Sequence, residues 1–269
     1  MNVSEWQIEE EFDCAGAHHM ERDEALARER VVHPALPSVL RLYSWRPAAV
    51  SIGYQQKMET IDLEACRARG IEVVRRPTGG RAVLHKEEIT YAVITRAAPI
   101  DGLYAVHNKI VNALVRSMEH LSSVANSVAS LLVTPRSALG QKTTLPVACF
   151  ASTARHEVTW QGKKVIGSAQ RRFGEVVLQH GSILLTKDHL LLPDLLAIPE
   201  AERSAMRETL SRETATLSDV FGRVVSIPEC AAAIRENFVS NFSSGTEFLA
   251  AQEMAHSSFI IQQPSLPLG

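Results

Sequence analysis

The sequence predicts a single α+β domain in which helices flank a mixed β-sheet. The chain has 269 residues, of which 45% are hydrophobic, and this is enough to bury a full core. β-rich runs such as ITYAVIT at 89–95 occur beside an apolar helical spacing at 103–121. These strands and helices mix without the strict alternation of a doubly wound fold, and helices dominate from about residue 190.

The elements of the first half are predicted from local composition and from the residues that begin and end helices and strands. They are, in order, a helix at 17–31, strands at 40–43 and 50–54, a helix at 61–69, and strands at 71–74, 81–84 and 89–95. Ala, Glu and Arg dominate the first helix. Asp62 is suited to begin the second helix and Gly70 to follow its last turn. The strand at 89–95 is predicted to be buried on both faces.

The second half begins with a helix and a long irregular stretch. The predicted elements are a helix at 103–121, hairpin strands at 157–160 and 163–167, a strand at 176–185, and helices at 200–213 and 228–242. The pair Gln161–Gly162 is typical of a tight hairpin turn. The Ser/Ala/Thr-rich segment 122–144 predicts a loop that can act as a lid. We therefore expect a catalytic domain at 17–250 and a tail at 251–269.

Composition excludes several classes of protein. The net charge of −2 gives no global field for nucleic acid. The acidic N-terminal stretch lacks the apolar region of a signal peptide, and no apolar run is long enough to span a bilayer. The four cysteines have neither CxxC nor metal-ligand spacing, which argues against zinc and disulfides. We therefore expect a cytoplasmic protein with reduced thiols and no membrane partner.

One cysteine stands at a position suited to chemistry. A lone cysteine is most often a small buried hydrophobe, and this interpretation is kept for Cys14, Cys66 and Cys230. Cys149 instead follows the irregular segment, where backbone N–H groups can be exposed around it. A thiolate needs a nearby cation, for which Lys164 is the candidate. Lys163 and Lys164 point to opposite faces of a strand, so at most one of them faces a pocket.

A glycine turn provides a second candidate site. Thr78-Gly79-Gly80 lies between two strands, where glycines allow a ligand to touch backbone N–H groups. A plain hairpin turn is the alternative. His85 and His180 are each structural more often than catalytic, although the glycine beside His180 suggests a strand bend near a pocket.

Basic residues are concentrated at two places along the chain. Arg75, Arg76 and Arg81 surround the glycine turn, and Arg171 and Arg172 form a second cluster. A pair of arginines is commonly a solvated surface. Because both clusters flank the suspected chemistry, they also suit an acidic protein or a phosphate group as a partner.

These motifs together resemble those of the lipoate/biotin protein ligase superfamily. The resemblance rests on RRPTGGRAVLH, EEITYAVI, ACF, GKKVIGSAQRR and LQHGSILL, in that order. HHMERDEAL is similar to the first helix of the family, and LRLYSWRPAAVSIGYQQ to its next two strands. The match covers roughly residues 17–185, with a weaker helical continuation to about 242. It implies a mixed sheet flanked by helices with a helical C-terminal segment.

Within this superfamily the chain resembles octanoyltransferases of the LipM type. ATP-dependent lipoate ligases typically have a third glycine where Arg81 stands and an aspartate soon after the histidine corresponding to His85. Ligases also need no nucleophilic cysteine, whereas the LipM type has one where Cys149 stands. The other octanoyltransferase type has its cysteine after the histidine-glycine motif. Thr153 and Arg155 depart from the family pattern and leave the wall of the acceptor site undefined.

The resemblance implies an acyltransferase that forms a covalent intermediate. Cys149 would be the nucleophile, and Lys164 would favour its thiolate. The implied substrate-binding residues are Arg76, Thr78, Gly79, Gly80, Arg81, His85, Gly167, Ser168, His180 and Gly181. Val83 and Ile94 are expected to line an acyl tunnel.

The resemblance also implies the partners of the reaction. The octanoyl donor would be acyl carrier protein, which carries phosphopantetheine. The acceptor would be a lysine of a lipoyl-domain protein such as the glycine cleavage H protein. Neither ATP nor a metal is expected. An ATP-dependent lipoate ligase, an octanoyl amidotransferase between lipoyl proteins, and a non-catalytic binder of lipoyl domains stay open as alternatives.

Overall fold

The computed structural model describes residues 6–97, 102–121, 132–135 and 156–260, and for 132–135, 156–157 and 244–260 it describes the backbone alone. The strands are β1 (Trp6–Cys14), β2 (Ser38–Trp45), β3 (Ala49–Ile52), β4 (Glu72–Arg75), β5 (Val83–His85), β6 (Glu88–Arg96), β7 (Leu132–Pro135), β8 (His156–Trp160), β9 (Lys163–Phe173) and β10 (Val176–Leu184). The helices are α1 (Gly16–Val32), α2 (Leu63–Ala68), α3 (Leu103–Glu119), α4 (Glu200–Glu213), α5 (Leu217–Phe221) and α6 (Ile227–Ile260). Lys187–Leu195 forms a 3-10 helical segment.

The strands form two sheets of unequal size. The larger sheet has seven strands in the order β1-β2-β6-β10-β9-β8-β7, and the smaller has three in the order β4-β3-β5. The pairs β1–β2 and β3–β4 are parallel, and the other neighbours are antiparallel. β6 and β10 lie at the centre, and both are buried along almost their whole length. The expected mixed sheet and α+β class are confirmed.

Helices cover the two faces of the larger sheet. On one face, α3 and α6 pack against the sheet in a core that includes Ile110, Leu114, Ile234 and Phe238, all fully buried. On the other face, α1 and the small sheet pack together. The Lys187–Leu195 segment and α4 close the far side of the small sheet. The interior between the two sheets is therefore shielded from several directions.

Several local predictions are confirmed. The Asp62 side chain accepts a hydrogen bond from Ala65 N at 2.9 Å and begins α2. Gly70 follows that helix with φ +64°, a conformation that favours glycine. Gln161 and Gly162 both have positive φ, at +51° and +76°, in the tight turn between β8 and β9.

Three predicted features are corrected or extended. β7 lies inside the segment 122–144 that we predicted to be a loop, and the rest of that segment lies outside the described residues. α6 continues past the predicted end at 242 and past the predicted domain end at 250, as far as Ile260. β1 was not predicted, because its acidic sequence has little β propensity and pairs with a strand distant in sequence.

Candidate functional site

A cavity lies between the two sheets and beneath α1. Its lining comes from both sheets, α1 and the loop after β4, and consists of Met20, Tyr43, Trp45, Ser51, Arg76, Val83, His85, Thr90, Gly167, Ser168, Ala169, His180, Gly181 and Ser182. Val83 lies in this wall as expected. Ile94 does not, because it packs in the core beneath α1.

The polar groups in the floor of the cavity are paired with one another. His85 Nδ1 lies 2.7 Å from Glu88 Oε1, so it donates to this carboxylate. His85 Nε2 therefore accepts from the Ser51 hydroxyl, 2.7 Å away, and Ser51 Oγ accepts from Arg76 at 3.0 Å. Trp45 stacks on His85 at 4.0 Å between ring centroids. Glu88 Oε2 is buried without a hydrogen-bond partner among the described residues, and the cavity surface left for a ligand is mainly apolar.

A second polar chain connects α1 to the glycine turn. His180 Nδ1 lies 2.9 Å from Asp23 Oδ2, and His180 Nε2 lies 2.6 Å from Thr78 Oγ1. Asp23 is fully buried, pairs with Arg41 and accepts from the Tyr43 hydroxyl at 2.9 Å. Burial lowers the pKa of His180 below its ordinary value although Asp23 opposes this. The neutral imidazole of His180 thus donates a hydrogen bond from Nδ1 to Asp23 and accepts one at Nε2 from the Thr78 hydroxyl.

His19 lies beside this chain and gives the protein a pH-dependent stability. Burial lowers the pKa of His19 to about 4, against the opposing effect of the hydrogen bond from Nε2 to the Ser44 carbonyl at 3.0 Å. The charges of Arg41 and His18 also lower this pKa, whereas the charge of Asp23 raises it. The unfolded chain binds a proton near pH 6.5, whereas the folded chain binds it only near pH 4.

We therefore expect stability to be lost as pH falls from 6.5 to about 4, the two pKa values of His19. Over this range His19→Gln should lose roughly 3 kcal/mol less stability than the parent protein. Urea unfolding at several pH values measures the difference. Parallel stability curves for the two proteins would contradict the assignment.

The carbonyls of the glycine turn face the protein. Arg76 donates to Gly79 O at 2.9 and 3.1 Å and to Arg81 O at 2.6 Å, while Thr78 O accepts from Tyr54 N at 2.8 Å. A Cβ added at Gly53 would lie 2.0 Å from Gly80 O, so this position must be glycine. Gly80 itself has φ +97°. Arg76 and Tyr54 thus hold the turn by its carbonyls, and the contact of its N–H groups with a ligand stays a prediction.

Arg75 and Arg171, one from each basic cluster, donate hydrogen bonds to backbone carbonyls. Arg75 Nη1 donates to three carbonyls in the 53–56 loop at 2.7–2.9 Å. Arg171 lies between the rings of Tyr54 and Phe173, 4.8 and 4.7 Å from their centroids, and donates to Pro77 O at 3.0 Å. These contacts anchor the loop and the glycine turn against β9.

A β-bulge determines the side of the sheet on which Lys164 lies. Val158 pairs with Ile166, but Thr159 pairs with Lys164, so Val165 is an extra residue in β9. Val158 and Ile166 both belong to the α3/α6 core. Lys164 therefore shares the opposite face with Thr159 and with Gly167 of the cavity wall. Lys164 is only 6% exposed and does not itself line the cavity.

The C-terminal half holds the lysine strand in place. Ala215 N donates to Lys164 O at 2.9 Å, and Thr214 forms an isolated parallel bridge with Lys164. Thr214 is in turn fixed by His189, whose Nε2 lies 2.7 Å from Thr214 Oγ1. Lys163 faces the other side, where it lines a separate pocket with Trp160. The prediction that the two lysines point to opposite faces is confirmed.

Gly181 allows β9 and β10 to approach closely beside the cavity. A Cβ at Gly181 would lie 2.3 Å from Gly167 O and 2.9 Å from the Tyr91 ring. Ser168 pairs with Gly181 across the two strands, and Ala169 pairs with His180. The predicted bend beside His180 is therefore a site of tight packing, and it keeps the wall of the cavity thin.

The described cysteines are unsuited to nucleophilic chemistry. Burial raises the pKa of Cys66, and it raises the pKa of Cys230 to about 12. Cys14 is half-buried, and its Sγ donates to Phe12 O at 3.5 Å. Cys149, the predicted nucleophile, lies outside the described residues.

One group of side chains has the spacing of metal ligands. Within the described part of the chain, Glu11, His18 and His19 bring potential ligand atoms within 4.8 Å of one another. Glu11 is already paired with Arg41, however, and His19 lies 3.5 Å from the same guanidinium. This cation would repel a metal ion. Among the described helices, none has the length and apolar character needed to cross a membrane.

The structure brings most of the predicted binding residues together. Those in the cavity wall are Arg76, His85, Gly167, Ser168, His180 and Gly181, while Thr78, Gly79, Gly80 and Arg81 form or adjoin the turn that contacts it. Sequence reasoning missed Asp23, Trp45, Ser51 and Glu88. The spacing of His19 and Asp23 on one helix face was the available signal for Asp23.

The comparisons with known proteins agree with this architecture. Residues 15–239 match the model of the lipoyl protein ligase A/B catalytic domain. "Octanoyltransferase LipM" of Carboxydothermus hydrogenoformans is 35% identical over 246 residues, covering 90% of this chain and 87% of the relative. "Octanoyltransferase LipM" of Symbiobacterium thermophilum is 38% identical over 238 residues, covering 87% and 85%.

Solved structures show the same fold at lower identity. A bi-partite lipoate protein ligase from Thermoplasma acidophilum, described with its E2 lipoyl domain, is 22% identical with a TM-score of 0.69 and covers 88% of this chain and 83% of its own. A lipoate-protein ligase A bound with ATP is 22% identical with a TM-score of 0.65, covering 87% and 86%. The chain therefore belongs to the lipoyl protein ligase A/B catalytic-domain family and, within it, to the LipM octanoyltransferases.

Proposed function

We propose that the protein moves an octanoyl group from octanoyl-acyl carrier protein to a lysine of a lipoyl-domain protein through a thioester on Cys149. The observation that carries this proposal is the cavity. The Ser51 and His85 side chains in its wall are hydrogen-bonded to each other, and the surface left for a ligand is mainly apolar. An apolar lining of this kind suits an acyl chain.

The chemistry requires two acyl transfers. The Cys149 thiolate adds to the donor thioester carbonyl, and the intermediate expels the phosphopantetheine thiolate, which takes up a proton. A neutral lysine ε-amine then adds to the acyl-enzyme carbonyl. The amide forms, the Cys149 thiolate leaves, and the amine proton passes to solvent. Because the donor is already a thioester, neither ATP nor a metal is required.

The proposed partners rest on different kinds of support. The Thermoplasma ligase described with its E2 lipoyl domain has the same fold, which supports a lipoyl-domain acceptor. The glycine cleavage H protein is the acceptor we propose. We propose acyl carrier protein as the donor because it carries its acyl group as a thioester. This bond is already activated, so the transfer needs no separate activation step.

Intact-protein mass spectrometry tests the proposal. The enzyme is mixed with octanoyl-acyl carrier protein without ATP or acceptor, and the modified peptide is mapped. We expect one octanoyl group on Cys149 that is discharged when a lipoyl-domain protein is added. The absence of an adduct, with transfer appearing only when ATP and free octanoate are supplied, would instead favour an ATP-dependent ligase.

Replacement of Lys164 by alanine is expected to raise the pH at which Cys149 reacts. A nearby ammonium stabilises a thiolate, so its removal should shift the midpoint of iodoacetamide alkylation upward by roughly one pH unit and slow transfer. Lys163→Ala is the matched control because Lys163 lies on the opposite face of β9. An unchanged midpoint in Lys164→Ala would remove the lysine from this role.

A further inference from the structure

Three segments that contribute to the cavity wall contain no acidic residue. They are residues 47–58, 73–86 and 163–174, and their charged side chains are all Lys or Arg. Each segment supplies part of the wall, through Ser51, Arg76 and Ala169 respectively. The whole chain has 30 Asp and Glu against 28 Lys and Arg, so this excess of positive charge is local.

The three segments meet at Tyr54, which is 55% exposed. Arg75 donates from Nη1 to three carbonyls of the 53–56 loop at 2.7–2.9 Å, one of them that of Tyr54. The Arg171 guanidinium lies 4.8 Å from the centroid of the Tyr54 ring and donates from Nη1 to Pro77 O at 3.0 Å. These contacts hold two guanidinium groups in place beside one exposed tyrosine.

Both arginines keep the other edge of the guanidinium group free. In Arg75 and in Arg171 only Nη1 donates, so Nε and Nη2 have no hydrogen-bond partner within the described part of the chain, and neither residue forms an ion pair there. Nε and Nη2 are the fork that binds a carboxylate through two parallel hydrogen bonds. Lys57, exposed directly after the same loop, adds a third positive charge.

The two proteins of the proposed reaction bring different charges to this surface. The acceptor presents a lysine, and its ammonium form is repelled by the arginines. The donor presents an arm that is joined to the carrier protein by a phosphodiester, which is an anion. An acidic protein face around that junction complements the arginines and the lysine, and their field attracts it before contact.

We propose that Tyr54, Lys57, Arg75 and Arg171 form a basic rim that docks an acidic face of the carrier protein delivering the octanoyl group. This inference rests on the proposed function. Carboxylates of the carrier protein bind the free edges of Arg75 and Arg171, and the positive charge of the rim speeds the encounter at low ionic strength. Docking here brings the arm to the segments that line the cavity.

Acylation of the enzyme by two octanoyl donors tests this surface. The measured quantity is the ratio of the second-order rate constant with octanoyl-acyl carrier protein to that with octanoyl-pantetheine, which has neither protein nor phosphate. Arg171→Gln and Lys57→Glu should each lower this ratio roughly tenfold at low salt, and high salt should shrink the difference from the parent. Lys109→Glu is the matched control, because α3 covers the opposite face of the larger sheet.

The other outcomes reject distinct parts of this scheme. An unchanged ratio in both variants would reject the docking surface and limit Arg171 to holding the glycine turn. A loss with octanoyl-phosphopantetheine as large as that with the carrier protein would assign the rim to the phosphate of the arm and reject the protein face. Acylation at the parent rate with slower discharge to a lipoyl-domain protein would assign the rim to the acceptor. A parent protein that neither donor acylates would overturn the proposed function instead.

Discussion

Cys149→Ala is expected to abolish octanoyl transfer, lowering the rate by roughly four orders of magnitude or more. Removing the nucleophile of a covalent mechanism leaves only substrate binding and oxyanion stabilisation. The measurement is transfer of octanoyl from octanoyl-acyl carrier protein to a lipoyl-domain protein, together with the mass of the enzyme. No octanoyl adduct should form on this variant.

The matched control is Cys66→Ala. Cys66 is buried on α2, and burial raises its thiol pKa, so it cannot supply a thiolate at neutral pH. This variant should lose about 1 kcal/mol of stability from the small cavity and keep its activity. Equal activity of the parent protein and both variants would reject the acyl-enzyme scheme.

Asp23→Asn is expected to destabilise the protein by about 3 kcal/mol and to slow transfer roughly 10- to 100-fold. Burial alone would raise the pKa of Asp23. The hydrogen bond from His180 and the charge of Arg41 nevertheless hold this pKa below its ordinary value. The folded protein therefore contains a buried carboxylate paired with Arg41 and His180. Without its charge, the orientation of His180 and its hydrogen bond to Thr78 lose their support.

Glu24→Gln on the same helix is the control for this prediction. Glu24 pairs with Arg28 at 2.5 Å on the exposed surface, where an ion pair contributes at most about 1 kcal/mol. Urea unfolding measures both stabilities, and transfer is assayed at a temperature where both variants are folded. If Asp23→Asn and Glu24→Gln behaved alike in both assays, the hydrogen bonds from Asp23 through His180 to Thr78 would not be needed for stability or activity.

The two arms of this experiment separate folding from function. Loss of stability with full activity in the folded fraction would show that Asp23 supports the fold alone. Loss of both is expected, because Thr78 and Gly79 are held by His180 and Arg76 from the two sides of the turn. A displacement of the turn by even 1 Å changes the position of the reacting carbonyl.

Much of the fold was predictable because its signals are local. Asp62 and Gly70 mark the ends of α2 by capping, and the Gln161–Gly162 turn defines the β8–β9 hairpin. β1 escaped prediction, since its acidic residues become a strand only by pairing with β2. α6 extends beyond its predicted end as far as Ile260, and no glycine or proline lies between 246 and 260 to end the helix earlier.

The residue pattern alone was enough to predict the class of fold and the glycine turn, and it indicated Cys149 and Lys164 as candidates for acyl-transfer chemistry. These features depend on residue type and short spacing, which a chain displays without folding. Folding was needed to show that Asp23 supports His180, 157 positions away, and that the Val165 bulge turns Lys164 toward the cavity face. Contacts between distant segments and a single extra residue in one strand leave no periodic pattern, so they become visible only when the two sheets and α1 are packed together.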